Sequence, residues 1–331
     1  MRTNKKLSVV ICTFNRANLL PELLESLAQQ TLDEKQREIL LVDNGSIDDT
    51  SIVTDEFIAK IPGLRYVFEP EIGLSAARNR GWREAKGEYI GFIDDDCKAP
   101  PEWLQVAVEI MDKIGPQAFG GPYYAYYNGP KQKWIKDGYF SHIQSEIARP
   151  LNKSEYLDGM NMFIHRELFE SLGGFPLNLG MVGNKIAYGE ETQFIKKLRA
   201  HTPQAIVYYD PRLFVYHLVR AEKMELRQAP RYFFIEGRYS YRVFNKSKKQ
   251  EQIRPIGRFY GSLSNIFMDC LKILYTMARI VKDCTWGVIN RNRLNHPFIE
   301  NYLYECGFKP FFDLGHYVED LCRILGLKEQ E

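Results

Sequence analysis

The 331-residue chain has almost no net charge, +2 from 44 basic and 42 acidic side chains, so no global field directs it toward nucleic acid. It lacks any run near the roughly 18 consecutive apolar residues that a membrane span needs. Its six cysteines, Cys12, Cys97, Cys270, Cys284, Cys306 and Cys322, show no C-x-x-C spacing and no dense framework, and they read as reduced thiols of a cytoplasmic protein. No G-x-G-x-x-G follows the first strand-like segment, which argues against a dinucleotide dehydrogenase, and no Walker A sequence supports a P-loop enzyme. Internal repeats and low-complexity tracts are also missing. The basic residues before Leu7 give a superficial secretion-signal look, but the apolar run that follows is only about six residues and ends at Thr13 and Asn15. That run is taken as a strand.

What is present is ordinary globular composition, 45% hydrophobic and 26% charged, in a chain long enough for one large domain with a smaller appendage. Strand-like and helix-like patterns alternate over the first hundred residues. Leu7 to Thr13 reads as a buried strand, and Leu19, Leu20, Leu23, Leu24 and Leu27 then recur at helical spacing. Strands are expected at 38–42, 64–68 and 89–93, helices from Asp48 and over 73–86, and a further helix opened by Pro100 and Pro101. Such alternation implies a mostly parallel sheet flanked by helices, which binds ligands at the carboxyl ends of its strands. The stretch 120–138, rich in Gly, Tyr and Pro, reads as a connection bordering a site. A second strand-to-helix unit and an acidic helix start, Gly189-Glu190-Glu191, follow.

The polar clusters fall at those strand ends. Tyr89 to Ile93 runs straight into Asp94, Asp95 and Asp96, three adjacent carboxylates that are most readily kept ionised around a divalent cation, Mn2+ or Mg2+. Thr13, Asn15 and Arg16 end the first strand and Asp43 the second, where a carboxylate could accept the imide N–H of a uracil; alone, Asp-Asn-Gly-Ser is also ordinary turn chemistry. The helix opening GLSAARNRG offers backbone N–H groups and Arg78 to a diphosphate. Trp103 and Trp134 would serve equally as stacking surfaces or as core.

From about Pro230 the pattern turns helical. An aromatic and basic run, RYFFIEGRYSYRVF, precedes the charged break Lys246 to Glu251. An apolar stripe then runs along Leu263, Ile266, Phe267, Cys270, Leu271, Leu274, Met277, Ala278 and Val281, with Lys272, Arg279 and Lys282 beside it. Two readings stay open: a face packed against protein, including a second copy, or a helix lying on a membrane surface.

The segments SVVICTFNR, ILLVDNGSIDD, GLSAARNRG, FIDDD, GMNMFIHRELFESLGGF and GEET resemble, in order and spacing, the family 2 inverting glycosyltransferases of the GT-A fold, over roughly residues 7 to 220. The resemblance implies a catalytic domain at 1–228, with a donor half at about 1–115 and an acceptor half at about 116–228, and a helical region at 229–331. It implies that Asp94 and Asp96 meet the sugar nucleotide and its metal, with Asp96 the direct ligand, Asp95 beside them and His217 completing the metal site. It places uracil on Asp43, and donor sugar or acceptor by Gly159 and Asn161. Glu191 aligns with the catalytic base, although the family pattern has aspartate there, and Glu190 would orient a loop or bind the acceptor. The function so implied is transfer of a sugar from a UDP-sugar to a hydroxyl of a glycan or lipid-linked acceptor in surface polysaccharide synthesis. The enzyme would be cytoplasmic or peripheral at the inner face of the plasma membrane. A silent glycan-binding module and a sugar-nucleotide nucleotidyltransferase are the alternatives; the acids speak against the first, and CTFNRAN lacks the glycine-rich basic loop of the second.

Overall fold

The computed structural model describes residues 6–183, 185–244, 255–290, 296–325 and 327, with side chains from residue 265 onward in the longest helix. The Lys246 to Glu251 break and the side chain of Leu263 lie outside the described residues. The chain forms two compact units: Met1–Asn128, Asp137–Ile186 and Glu190–Val219 in the first, and Gly129–Lys136, Ala187–Gly189 and Arg220–Glu331 in the second. The boundary after residue 228 drawn from the sequence differs from this division, which turns at Arg220 and gives two short earlier segments to the helical unit.

The first unit opens with β1 (Leu7–Thr13), α1 (Leu20–Ala28), β2 (Arg37–Asp43), α2 (Thr50–Ile58), β3 (Leu64–Phe68), α3 (Leu74–Glu84), β4 (Tyr89–Asp94), β5 (Cys97–Lys98) and α4 (Trp103–Ile114). It continues through β6 (Ala118–Gly120), β7 (Tyr123–Tyr126), β8 (Arg149–Pro150), β9 (Asn161–His165), α5 (Glu167–Leu172), α6 (Glu190–His201), β10 (Val207–Tyr209) and β11 (Val215–Leu218). The main sheet has the order β3-β2-β1-β4-β9-β6-β10-β8; β1 to β4 are mutually parallel, and β9 runs against both β4 and β6. A second sheet, β5-β11-β7, stands apart from it. Two expectations need correcting. The helix after Pro100 and Pro101 begins at Trp103, whose N–H bonds to the Pro100 carbonyl, so the prolines form the turn before it. The stretch 120–138 is not only connection, because β7 lies in it.

Period-two alternation explains the layering. On β1, Leu7, Val9 and Ile11 join the core with Leu20, Leu23, Leu24 and Leu27 of α1, while Val10 joins the opposite core with Leu40, Val42, Phe92 and Phe169. Both faces are therefore buried, as a sheet with parallel crossovers requires.

In the second unit, α7 (Ala229–Phe244), α8 (Pro255–Ile289), α9 (Ile299–Tyr302) and α10 (Pro310–Ile324) pack together. Helices α7 and α10 meet at Gly237 and Gly315, where an added Cβ would lie 2.0 Å from the Phe312 and Phe234 carbonyl oxygens, so the backbones touch. Arg238 and Arg242 pair with Glu319 at 2.8 and 2.6 Å, and Tyr239 and Tyr241 are buried. The aromatic and arginine run of α7 thus supplies a helix-packing face.

A buried amide fixes the segment leading toward α6. Asn79 on α3 donates to the Phe175 carbonyl at 2.9 Å and accepts from the Phe175 N–H at 2.8 Å and the Trp82 indole at 3.1 Å. Asn79→Ala should lower stability by about 2–3 kcal/mol, because the Phe175 groups lose their partners without gaining water. A chemical-denaturation midpoint unchanged from wild type would contradict this.

Candidate active site

Register alone gathers the first site residues. Thr13 stands opposite Asp43 and Cys12 opposite Asp94, so the carboxyl ends of β1, β2 and β4 reach one level. Asp43 accepts from the Ser46 N–H at 2.8 Å and from the Tyr66 hydroxyl at 2.6 Å. Tyr66, one strand over, went unnoticed in the sequence; its position two residues before the end of β3 is the only signal it leaves. Asn15 has a left-handed backbone, φ 53°, accepts from the Ile47 N–H and donates its own N–H to Ser46 Oγ, both at 2.8 Å. It ties the loop after β1 to the loop after β2.

Arg16 reaches across to the acidic turn, 2.6 Å from Asp95 and 3.8 Å from Asp96. Burial pushes the Asp95 carboxyl up to about 6, against the pull of Arg16 and with a further push from Asp96. Pairing in the small sheet sets His217 of β11 opposite Cys97 of β5, which brings its Nε2 to 3.3 Å from Asp96 Oδ1. Tyr123 of β7 lies against the same imidazole, ring centroids 5.6 Å apart.

Arg78 is the hub. Only 3% exposed, it pairs with Glu190, lies 3.4 Å from Asp94 and donates to the Gly159 carbonyl at 3.2 Å. A Cβ on residue 159 would sit 2.7 Å from the guanidinium, so any larger residue would shift Arg78 from its present partners. Cys12, also missed, belongs to this neighbourhood; burial pushes its thiol up to about 12, leaving it neutral.

Several expectations change here. Arg78, expected on a diphosphate, is spent on protein acceptors. The helix opening expected to cradle that diphosphate is likewise engaged: the Gly73 N–H donates to Asn44 Oδ1 and the Leu74 N–H to the Met181 carbonyl, each at 2.7 Å. Glu190, expected to face a loop or acceptor, is buried against Arg78. Asn161, expected beside the donor sugar, is 0% exposed: it donates to the Pro122 and Leu213 carbonyls at 3.1 and 2.7 Å and accepts from the Trp103 indole at 3.0 Å. Neither tryptophan offers a stacking surface, since Trp103 packs on Phe163 and Trp134 is buried against Tyr304 in the helical unit.

Glu191 differs from its neighbour. One residue along the helix it points elsewhere, is partly exposed, and accepts from the Thr192 hydroxyl at 3.4 Å. Although part of the residue is exposed, the packing around its carboxyl strips it of enough water to raise it well above the ordinary range; Glu190 and, more weakly, Asp158 add to this, and Arg78 opposes it.

Among the described residues no three His, Cys, Asp or Glu side chains gather into a metal-holding group, so the expected set Asp94, Asp96 and His217 is not assembled. Asp94 turns to Arg78 instead. Asp96 and His217 nevertheless set a carboxylate and an imidazole side by side, and two protein donors suffice for an ion that takes its other ligands from phosphate oxygens. The acids Asp94, Asp95, Asp96 and Glu190 also outnumber the guanidiniums Arg16 and Arg78. Donor chemistry and charge both fit a divalent cation.

The sequence profile of glycosyl transferase family 2 matches residues 8–173, half of the chain. The chain belongs to that family. The glycosyltransferase AglE of Haloferax volcanii is 29% identical over 174 residues, covering 52% of this chain and 56% of its own, so the match spans little more than half of that relative. The succinoglycan biosynthesis protein ExoM of Rhizobium meliloti is 26% identical over 223 residues, 66% of this chain and 69% of its own. Among solved structures, the mannosyltransferase PcManGT from Pyrobaculum calidifontis, in complex with GDP-Man and Mn2+, superposes with a TM-score of 0.58 at 18% identity, covering 98% of this chain and 88% of its own. TarS 1-349 of S. aureus, in complex with UDP-GlcNAc, gives 0.53 at 20% identity over 75% and 69%. These likenesses confirm the GT-A fold, with its helical C-terminal part.

Asn161→Ala separates support from recognition. It orphans one indole N–H and two carbonyls, so stability should fall by about 3 kcal/mol, while UDP affinity of the folded protein at low temperature stays within about twofold. A large affinity loss in a protein that melts normally would restore Asn161 to the sugar site.

Proposed function

We propose that this protein transfers a sugar from a UDP-sugar to a hydroxyl of a glycan or lipid-linked acceptor, inverting the anomeric carbon, as one step of surface polysaccharide synthesis. The observation that carries the reading is the contrast between adjacent acids: Glu190 is locked on a buried arginine, whereas Glu191 is partly open and holds its proton more tightly than an ordinary carboxylate. A carboxylate shifted upward is a better proton acceptor at neutral pH than an ordinary one.

In this reading Asp43, with Tyr66 and the Asn15 loop, holds the uracil. Asp96 and His217 would hold Mn2+ or Mg2+, which would supply positive charge to offset that of a nucleoside diphosphate. Arg78 fixes Glu190, Asp94 and the Gly159 carbonyl, and so sets the wall beside which Glu191 works. Glu191 takes the proton of the acceptor hydroxyl as that oxygen forms its bond to the anomeric carbon. The bond from that carbon to the diphosphate oxygen breaks on the opposite face, and its electron pair leaves with UDP. One displacement suffices, and no covalent nucleophile is required.

Glu191→Gln should lower kcat at least about 100-fold with UDP affinity nearly unchanged. The sign of the pH effect follows from the raised carboxyl. The base is lost as pH falls through its folded-state pKa, so the acid limb of kcat/KM should stand well above 4.5 and vanish in the variant. An acid limb near the ordinary carboxylate value, or a stronger effect from Glu190→Gln without loss of stability, would move the base elsewhere.

The cation is tested without turnover. Calorimetry should show UDP binding at least about tenfold weaker after chelation, with Asp96→Asn losing the metal dependence. Equal affinity with and without chelator would refute a metal held by Asp96 and His217.

A further inference from the structure

Helix α8 is built inside out. At 100° per residue, its side toward α10 and α9 carries Asp269, Ile273, Thr276, Ile280, Asp283 and Gly287; Asp269, Thr276 and Gly287 are buried. Asp269 is only 2% exposed, and Tyr302 of α9 donates to the Asp283 carbonyl. The outward side is mainly apolar, interrupted by Thr285 and Lys282: Leu274, Val281 and Ile289 are 63%, 66% and 74% exposed, and Phe267, Leu271 and Val288 are exposed with them. This stripe runs from Phe267 to Ile289, roughly 34 Å of helix at 1.5 Å per residue. Single exposed apolar residues are common, but a mainly apolar face of this extent marks a surface that something covers.

The charges and aromatics along it say what covers it. The acids of the described part of α8 lie on the inward side, whereas Lys282 is exposed within the apolar arc; Lys272 and Arg279 stand at one border, Lys272 paired with Asp269 at 2.8 Å and Arg279 with Asp283 and Asp313, each at 3.5 Å. Tyr275 and Trp286 fall near that same border, where an amphipathic ring sits between hydrocarbon and water. Apolar centre, cationic and aromatic margin, and acids turned inward together complement an anionic lipid surface. Among the described residues no helix is long and apolar enough to cross a bilayer, so the contact is parallel to the surface.

We propose that the outward face of α8 docks the protein onto an anionic lipid bilayer. The inference uses no part of the catalytic assignment, so either fails without the other. The test is cosedimentation of the full chain with vesicles of phosphatidylglycerol and phosphatidylcholine, compared with phosphatidylcholine alone. Wild type should pellet with the anionic vesicles, less at high salt. The Leu274→Glu, Val281→Glu pair should bind at least about tenfold more weakly with an unchanged circular dichroism spectrum, and Lys282→Glu should show a smaller loss confined to low salt. Should the double variant fail to fold, the fluorescence of Trp286, isolated by difference against Trp286→Phe, reads the same contact: a blue shift with anionic vesicles supports docking, and its absence refutes it. No wild-type binding at low salt would overturn the proposal. So would a wild-type dimer in sedimentation equilibrium that the Glu pair dissolves while vesicles fail to compete, since the face then belongs to a second copy.

Discussion

The site is organised by one constraint: a guanidinium removed from water must have every side satisfied. An isolated buried charge is prohibitively costly, and a buried ion pair holds only when its remaining donors find acceptors too. Arg78 meets that demand with Glu190, Asp94 and the Gly159 carbonyl, drawn from the start of α6, the end of β4 and the turn before β9. Segments distant in sequence are thereby fixed around a single planar fork, which a lysine could not replace because its ammonium lacks the fork's geometry. Glu191 inherits its place from this arrangement: with Glu190 tied to Arg78, the turn of the helix points the next carboxylate away.

Much of this was legible in the sequence because it depends on local periodicity. The apolar runs of β1 to β4 and the acids that follow them are contiguous, and in a parallel sheet contiguity suffices to bring strand ends to one edge. Thr13, Asp43 and Asp94 needed only correct strand ends to be placed together. The Glu190-Glu191 pair was recognisable too, since acids at a helix start are a short-range signal, although the signal did not say which of the two is buried.

What stayed hidden depends on pairings that no local pattern encodes. His217 reaches Asp96 because β11 pairs with the two-residue strand β5, which is too short to announce itself. Asn161 looked like a site residue because it is polar and sits among motifs, yet its side chain closes two carbonyls and an indole in the core. Arg78 misled for a similar reason. A cation at a helix opening suggests an anion ligand, and only the fold shows that protein carboxylates already occupy it. The apolar stripe of α8 could not be assigned from periodicity, because an inward and an outward face have the same period; the polar residues opposite it decide the direction.

The charge imbalance left around Arg78 has a consequence for ligand binding. With Arg16 and Arg78 both spent on protein carboxylates, the strand ends retain an excess of negative charge and leave neither guanidinium unengaged for a diphosphate. A diphosphate approaching alone would meet repulsion, and a cation alone would find only the Asp96 and His217 donors. Each would supply what the other lacks, since a cation would offset the acids and a diphosphate would add oxygen ligands to those two donors. Under the proposed reading, metal and nucleotide therefore bind as a coupled pair. By linkage the affinity each gains from the other is the same, whichever arrives first.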